Sequence, residues 1–134
     1  MNPLHHPILE LQIKLKKIGF TNCETVTDTC GNYIRHTPWF DTWEYNPCPS
    51  VMEMLDVMPH SIPIEWLEHL IQYDNATTYY FLSISKGVVQ YANQARRVQL
   101  VYFNVERNDE RSIPNALAEM IIWLVEKKLL SFDK

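Results

Sequence analysis

The sequence predicts an α+β fold, an antiparallel sheet of three or more strands with N-terminal, middle and C-terminal helices packed on it. Three observations carry that prediction. Apolar residues recur at helical spacing near both ends of the chain. β-branched and aromatic residues crowd the stretch from Thr77 to Glu106. Between the helical ends and that stretch, Ser50-Val51-Met52-Glu53 forms a capping signature that opens a further helix. The chain has 134 residues, which suits a single domain over 1–134. It is 46% hydrophobic with only 21% charged residues, a composition that fills one core and excludes a disordered chain.

The first helix is expected over 7–18. Ile8, Leu11, Leu15 and Ile18 make its apolar stripe, and Lys14, Lys16 and Lys17 lie largely off it. Gly19 can take the left-handed conformation that closes a helix, and Phe20 then folds back onto the last turn. Residues 24–46 read as extended. Thr25, Val26, Thr27 and Thr29 favour strand, Cys30-Gly31-Asn32 is a turn, and Tyr33-Ile34-Arg35 returns as a short second strand. Pro38 breaks that run. The following WFDTWEYNP reads as an edge strand or long extended loop, because Pro38 and Pro47 cannot donate ladder hydrogen bonds.

Val51, Met54, Leu55 and Met58 form the stripe of the helix capped by Ser50, and Pro59 stops it. Ile64, Leu67, Leu70 and Ile71 sit at helical spacing, so residues 62–73 are read as a helix with Pro63 in the first turn, while the same stretch also alternates as a strand and the sequence does not decide between them. Thr77–Ser85 and Val88–Ala92 form a hairpin across Lys86-Gly87, and Arg97–Glu106 makes a third strand. The apolar density of that strand predicts at least partial cover on both its faces. Arg107–Arg111 is a charged loop. Ser112 caps the last helix, with Pro114 in its first turn and Asn115–Leu130 filling it. Leu117, Met120, Ile121, Leu124 and Lys128 share one face of this helix. Ala118, Ile122, Val125 and Leu129 share a neighbouring face, with Trp123 beyond. So broad an apolar surface marks either the central core helix or a helix that buries a second face in an oligomer.

The formal net charge is -4, and the basic residues come in small groups at Lys14–Lys17, Arg96–Arg97 and Lys127–Lys128. That distribution lacks the basic stripe of a nucleic-acid binder, so no nucleic-acid partner is expected. No apolar run reaches membrane-spanning length, and the N-terminus lacks the pattern of a secretory signal, so no membrane association is expected. Three cysteines, Cys23, Cys30 and Cys48, are an odd count that suits a reducing cytoplasm better than a disulfide framework.

Cys23, Cys30, His36 and Cys48 are ligand types for zinc, but no two lie at the close spacing of a zinc knuckle. No metal site and no cofactor are expected, and His5-His6 reads as a frayed end. Cys48 precedes a helix start, where the macrodipole favours a thiolate, and His36 and His60 could act as bases. A small hydrolase or transferase built on Cys48 or His36 is therefore the alternative reading. Asp41 with Glu44 and Glu53 with Asp56 are nearby acids without a cleft to pin them. Three scattered glycines form neither a P-loop nor a dinucleotide fingerprint. No catalytic residue is assigned.

The aromatic residues carry the stronger signal. Trp39, Phe40, Trp43 and Tyr45 crowd one stretch, and Trp123 lies on the last helix. Large rigid aromatics dominate interface energetics, so these five are the interface candidates, the other reading being that they pack over the sheet or the last helix as core. The order of LKKIGF, then PSVMEMLDVMP, then IPNALAEMIIWLVEKKLL resembles small uncharacterised proteins of phages, prophages and mobile elements of gut anaerobic bacteria. Pro49, Ser50, Glu53, Met54, Leu55 and Pro59 carry the middle motif; Ala116, Ala118, Glu119, Met120, Trp123 and Leu124 carry the last. The resemblance implies a genomic context and no catalytic residues. Taken together, the expectation is a non-enzymatic interaction or accessory protein, cytoplasmic, that binds another protein or associates with itself.

Overall fold

A computed structural model describes residues 6–20, 23–28, 32–35, 45–64, 78–85, 88–93, 98–104 and 113–132. The fold is α+β; the described residues form three helices and two antiparallel sheets. Helix α1 is Leu9–Lys17. Strands β1 (Thr25–Thr27), β2 (Tyr33–Arg35) and β3 (Asn46–Pro47) form a small sheet in the order β2-β1-β3. Helix α2 is Val51–Val57. Strands β4 (Ser61–Ile64), β5 (Thr78–Ile84), β6 (Val88–Asn93) and β7 (Val98–Asn104) form the main sheet as a meander, followed by helix α3, Ile113–Glu126.

Local chemistry explains most boundaries. Gly19 has φ 92°, Gly19 N–H donates to Lys16 O at 3.1 Å, and Phe20 N–H donates to Leu15 O at 3.0 Å. That pair of bonds is the Schellman closure expected of KKIGF. Phe20 is buried, and its ring meets Phe132 edge-on at a centroid distance of 5.2 Å. At α2 the capping box is complete: Glu53 N–H donates to Ser50 Oγ at 3.2 Å, and Ser50 N–H donates to Glu53 Oε1 at 2.9 Å. The other carboxylate oxygen, Oε2, accepts Glu24 N–H at 2.8 Å. One glutamate thus caps α2 and ties it to the entry of β1.

Helix α3 is the central core helix. It packs against α1, α2, β6 and β7. Leu117, Ala118, Met120, Ile121 and Leu124 are buried and join Leu11, Leu15, Met54, Met58, Ile62, Tyr80, Val89 and Tyr91 in one core. The broad apolar surface is therefore covered within one chain.

Three expectations need correction. Ile62–Ile64 is strand, not helix: β4 pairs with β5, Ile62 opposite Tyr80 and Pro63 opposite Tyr79. Non-local pairing overrides the local helical spacing here. Pro63 is tolerated because β4 is an edge strand, where the missing N–H breaks no ladder. The last helix ends at Glu126, short of Leu130. Lys128 takes φ 61°, and Lys128 N–H and Leu129 N–H return to Val125 O and Leu124 O at 3.0 and 2.9 Å. This is a second Schellman closure, with lysine where glycine is usual. On β7 the outer face is only partly covered, with Gln99 exposed and Tyr102 52% exposed, while the helices lie on the other side of the sheet. Finally, His6 is docked rather than frayed. Its half-buried ring places Nδ1 at 3.1 Å from Cys48 O and 3.2 Å from Pro49 O. Both acceptors are carbonyls, so Nδ1 carries the proton.

The predicted turn residues Cys30, Gly31, Lys86 and Gly87 lie outside the described residues. So do the run 36–44, residues 65–73 of the predicted helix, and the loop and cap at 107–112.

A left-handed lysine carries a steric cost that glycine lacks. Lys128→Gly is expected to stabilise the fold by up to about 1 kcal/mol, read as a higher denaturation midpoint at unchanged slope.

Candidate functional site

The residues singled out from the sequence do not assemble into a site. Trp39, Phe40, Trp43 and His36 lie outside the described residues. Tyr45 is half-buried just before β3. Trp123 is half-buried and packs against the core. Cys48 is fully buried. Among the described residues, no three of His, Cys, Asp and Glu come together as a metal site. No described helix is long and apolar enough to cross a membrane.

Cys48 belongs to a buried polar knot. Gln12, on the core side of α1, is fully buried despite its amide. Its Nε2 donates to Pro7 O at 2.8 Å and reaches Cys48 Sγ at 3.5 Å. Its Oε1 accepts the hydroxyl of Thr27, which is also buried. Asn115, buried in the first turn of α3, accepts Ile8 N–H on its Oδ1 at 2.8 Å. Together these groups bind α1, the small sheet and α3. A thiol enclosed in this way is placed for packing, not for attack on a substrate.

Cys23 is likewise buried, and its thiol donates to Thr25 O at 3.2 Å. Burial pushes the thiol up from 9.0 to about 11, and the nearby Glu53 carboxylate adds to the rise. Burial also raises the Tyr91 phenol, whose hydroxyl donates to Pro59 O at 2.6 Å.

The chemistry left in the open lies on the main sheet. Side chains alternate along a strand, so opposite registers share a face. On the inner face Tyr80, Val89 and Tyr91 are buried. On the outer face Tyr79 lies opposite Pro63, Phe81 opposite Ser61 and Ala92, and Gln90 opposite both Ser83 and Tyr102. A β-bulge at Leu100 moves Gln99 opposite Ala92, and Gln99 Nε2 donates to Gln90 Oε1. Tyr79, Phe81 and Tyr102 are 50%, 56% and 52% exposed. None of the side chains in these outer-face registers is charged. Covering the free half of one such ring is worth roughly 2 kcal/mol at the usual area coefficient. Among the described residues this outward sheet face carries three of the exposed large apolar side chains.

The sequence reading missed these three rings because Tyr79-Tyr80-Phe81 is aromatic on both faces. The available signal was the period of two. If helices cover one face, every second aromatic of the strand must point outward. No protein-family model matches the chain, and no curated protein or solved structure matches it either.

Two outcomes test this geometry. Gln12→Leu deprives the buried Thr27 hydroxyl and Pro7 carbonyl of a partner and should cost about 1–3 kcal/mol in urea unfolding. Thr27→Val should then cost less in the Gln12→Leu background than in the wild type, because the two changes share one bond. For Cys23 the folded thiol holds its proton more tightly than the unfolded one. Its contribution is full below pH 9 and is lost as pH rises through about 11. Stability should fall over that window, and Cys23→Ala should fall less steeply when the two are unfolded side by side.

Proposed function

We propose that the protein is a non-enzymatic protein-interaction module whose contact surface is the outer face of the main sheet. One observation carries the reading: Tyr79, Phe81 and Tyr102 stand half-exposed on a face whose other described side chains are uncharged. Half-exposed aromatic rings among neutral polar groups suit a protein surface, where such anchors supply most of the binding energy. Nucleic acid would require cations for its phosphates, and the described residues of this face include none. The buried Cys23 and Cys48, neither in a disulfide, accord with a cytoplasmic setting. The resemblance to proteins of phages and mobile elements supports an accessory role in such an element. A hydrolase or transferase on Cys48 has no comparable support, since that thiol is enclosed.

The double variant Tyr79→Ser, Phe81→Ser tests the reading. It should retain a cooperative melt, because both rings point away from the core. Its association with proteins of the producing cell, quantified by affinity capture against wild type, should fall about tenfold or more. Undiminished association in a folded variant would sink the proposal.

A further inference from the structure

We infer that Lys14, Lys17, Lys127 and Lys128 form one cationic surface, at the adjoining C-terminal ends of α1 and α3, that docks a carboxylate-rich segment of a partner protein. This surface is separate from the outer sheet face and does not depend on it.

Two contacts bring the lysines to one end of the molecule. Ile8 N–H donates to Asn115 Oδ1 where α1 and α3 both begin. Phe20 meets Phe132 edge-on at 5.2 Å after both helices have ended. The two helices also pack on each other, so they run parallel and finish side by side. Lys14 and Lys17 lie in the last turn of α1, and Lys127 and Lys128 follow directly on Glu126. In the sequence they are two small groups far apart; the fold makes them one.

The fold makes little use of these charges. All four side chains are exposed. Among the described residues no ion pair joins any of them to a carboxylate, in a chain with 16 acidic residues. Glu126, also exposed, is the nearest described acid along the chain. The macrodipoles of α1 and α3 favour cations at this end, which lets like charges gather here without carboxylates. Lys128 is the second observation. Its φ of 61° is a conformation glycine takes more easily, and its exposed side chain returns no contact to the fold. A side chain held against the preference of its own backbone points to a use outside the core.

The chemistry selects carboxylates. Lysine ammonium groups are point charges on flexible stems, suited to separate carboxylates along a chain. Arginine, whose planar fork matches phosphate, is absent from the described residues of α1, α3 and the turns that follow them. Helix C-termini present carbonyls, not the N–H groups that cradle phosphate. The exposed rings of the main sheet lie on the face away from the helices, so they offer no stacking platform for bases beside the lysines.

The probe is a fluorescein-labelled polyglutamate peptide, followed by anisotropy with the intact protein. It should bind at low salt and weaken as salt rises. The pairs Lys14→Gln, Lys17→Gln and Lys127→Gln, Lys128→Gln should each lower affinity about tenfold. Lys128→Gly should lower it about threefold while raising the denaturation midpoint, a combination that unfolding cannot produce. Tyr79→Ser, Phe81→Ser should bind polyglutamate as wild type does, which keeps failure of the sheet face distinct from failure of this surface. Absence of binding at low salt overturns the inference. So does wild-type affinity in either lysine pair or in Lys128→Gly. Tighter binding of a DNA oligonucleotide of equal charge, or of phosphatidylserine vesicles, also overturns it, because the carboxylate assignment is then wrong.

Discussion

One-sided cover of the main sheet is the constraint on which the structure depends. α3 lies against β6 and β7 and is flanked by α1 and α2. Eight of its fourteen residues are buried, which leaves no broad apolar face for an oligomer to hide. The helix therefore serves its own core first. Because the three described helices pack into one core on the inner face, alternate residues of the strands face away from that core. The outward aromatic rings follow from this arrangement.

The small sheet is joined to that core by polar groups as well as apolar ones. Gln12 occupies a position in the α1 stripe that a leucine would fill if packing were the sole demand. Its amide instead links the chain before α1, the β1 side chain of Thr27 and the thiol after β3. These are three segments far apart in sequence, and a buried amide favours the single arrangement that satisfies it. His6 and Asn115 extend the same logic. One holds the Cys48-Pro49 carbonyls, and the other holds the amide that leads into α1. The net gain from each bond is small, but the cost of leaving any of these groups unpaired in the interior is not. The knot therefore selects an arrangement more than it adds stability.

What was legible in the sequence was local chemistry. The Ser50–Glu53 box and the Gly19 closure are each written in a few adjacent residues, and both are present as read. The hairpin and third strand were legible for the same reason, since β-branched and aromatic density is a property of the segment itself. The α3 terminus was not, because Lys128 adopts a glycine conformation without being one. β4 was not, because Ile62–Ile64 becomes strand only when β5 is beside it. Gln12 and the outer-face rings share a deeper cause. Which side of an element is covered depends on its neighbours, and neither residue type announces it. A buried glutamine and an exposed phenylalanine both run against composition-based expectation.

Exposed aromatics on a strand have a second explanation that must be weighed. Rings facing one another across a sheet stabilise it, so Tyr79, Phe81 and Tyr102 could serve strand pairing alone. The register argues otherwise. Phe81 lies opposite Ser61 and Ala92, and Tyr102 lies opposite Gln90. Only Tyr79 meets a flat apolar neighbour, Pro63. Rings placed for cross-strand stabilisation would be opposite other rings or β-branched residues, where such pairs gain up to about 1 kcal/mol. Phe81 and Tyr102 have neither, and they remain more than half exposed. Most of their area is thus unused by the monomer and is free to be buried against a partner.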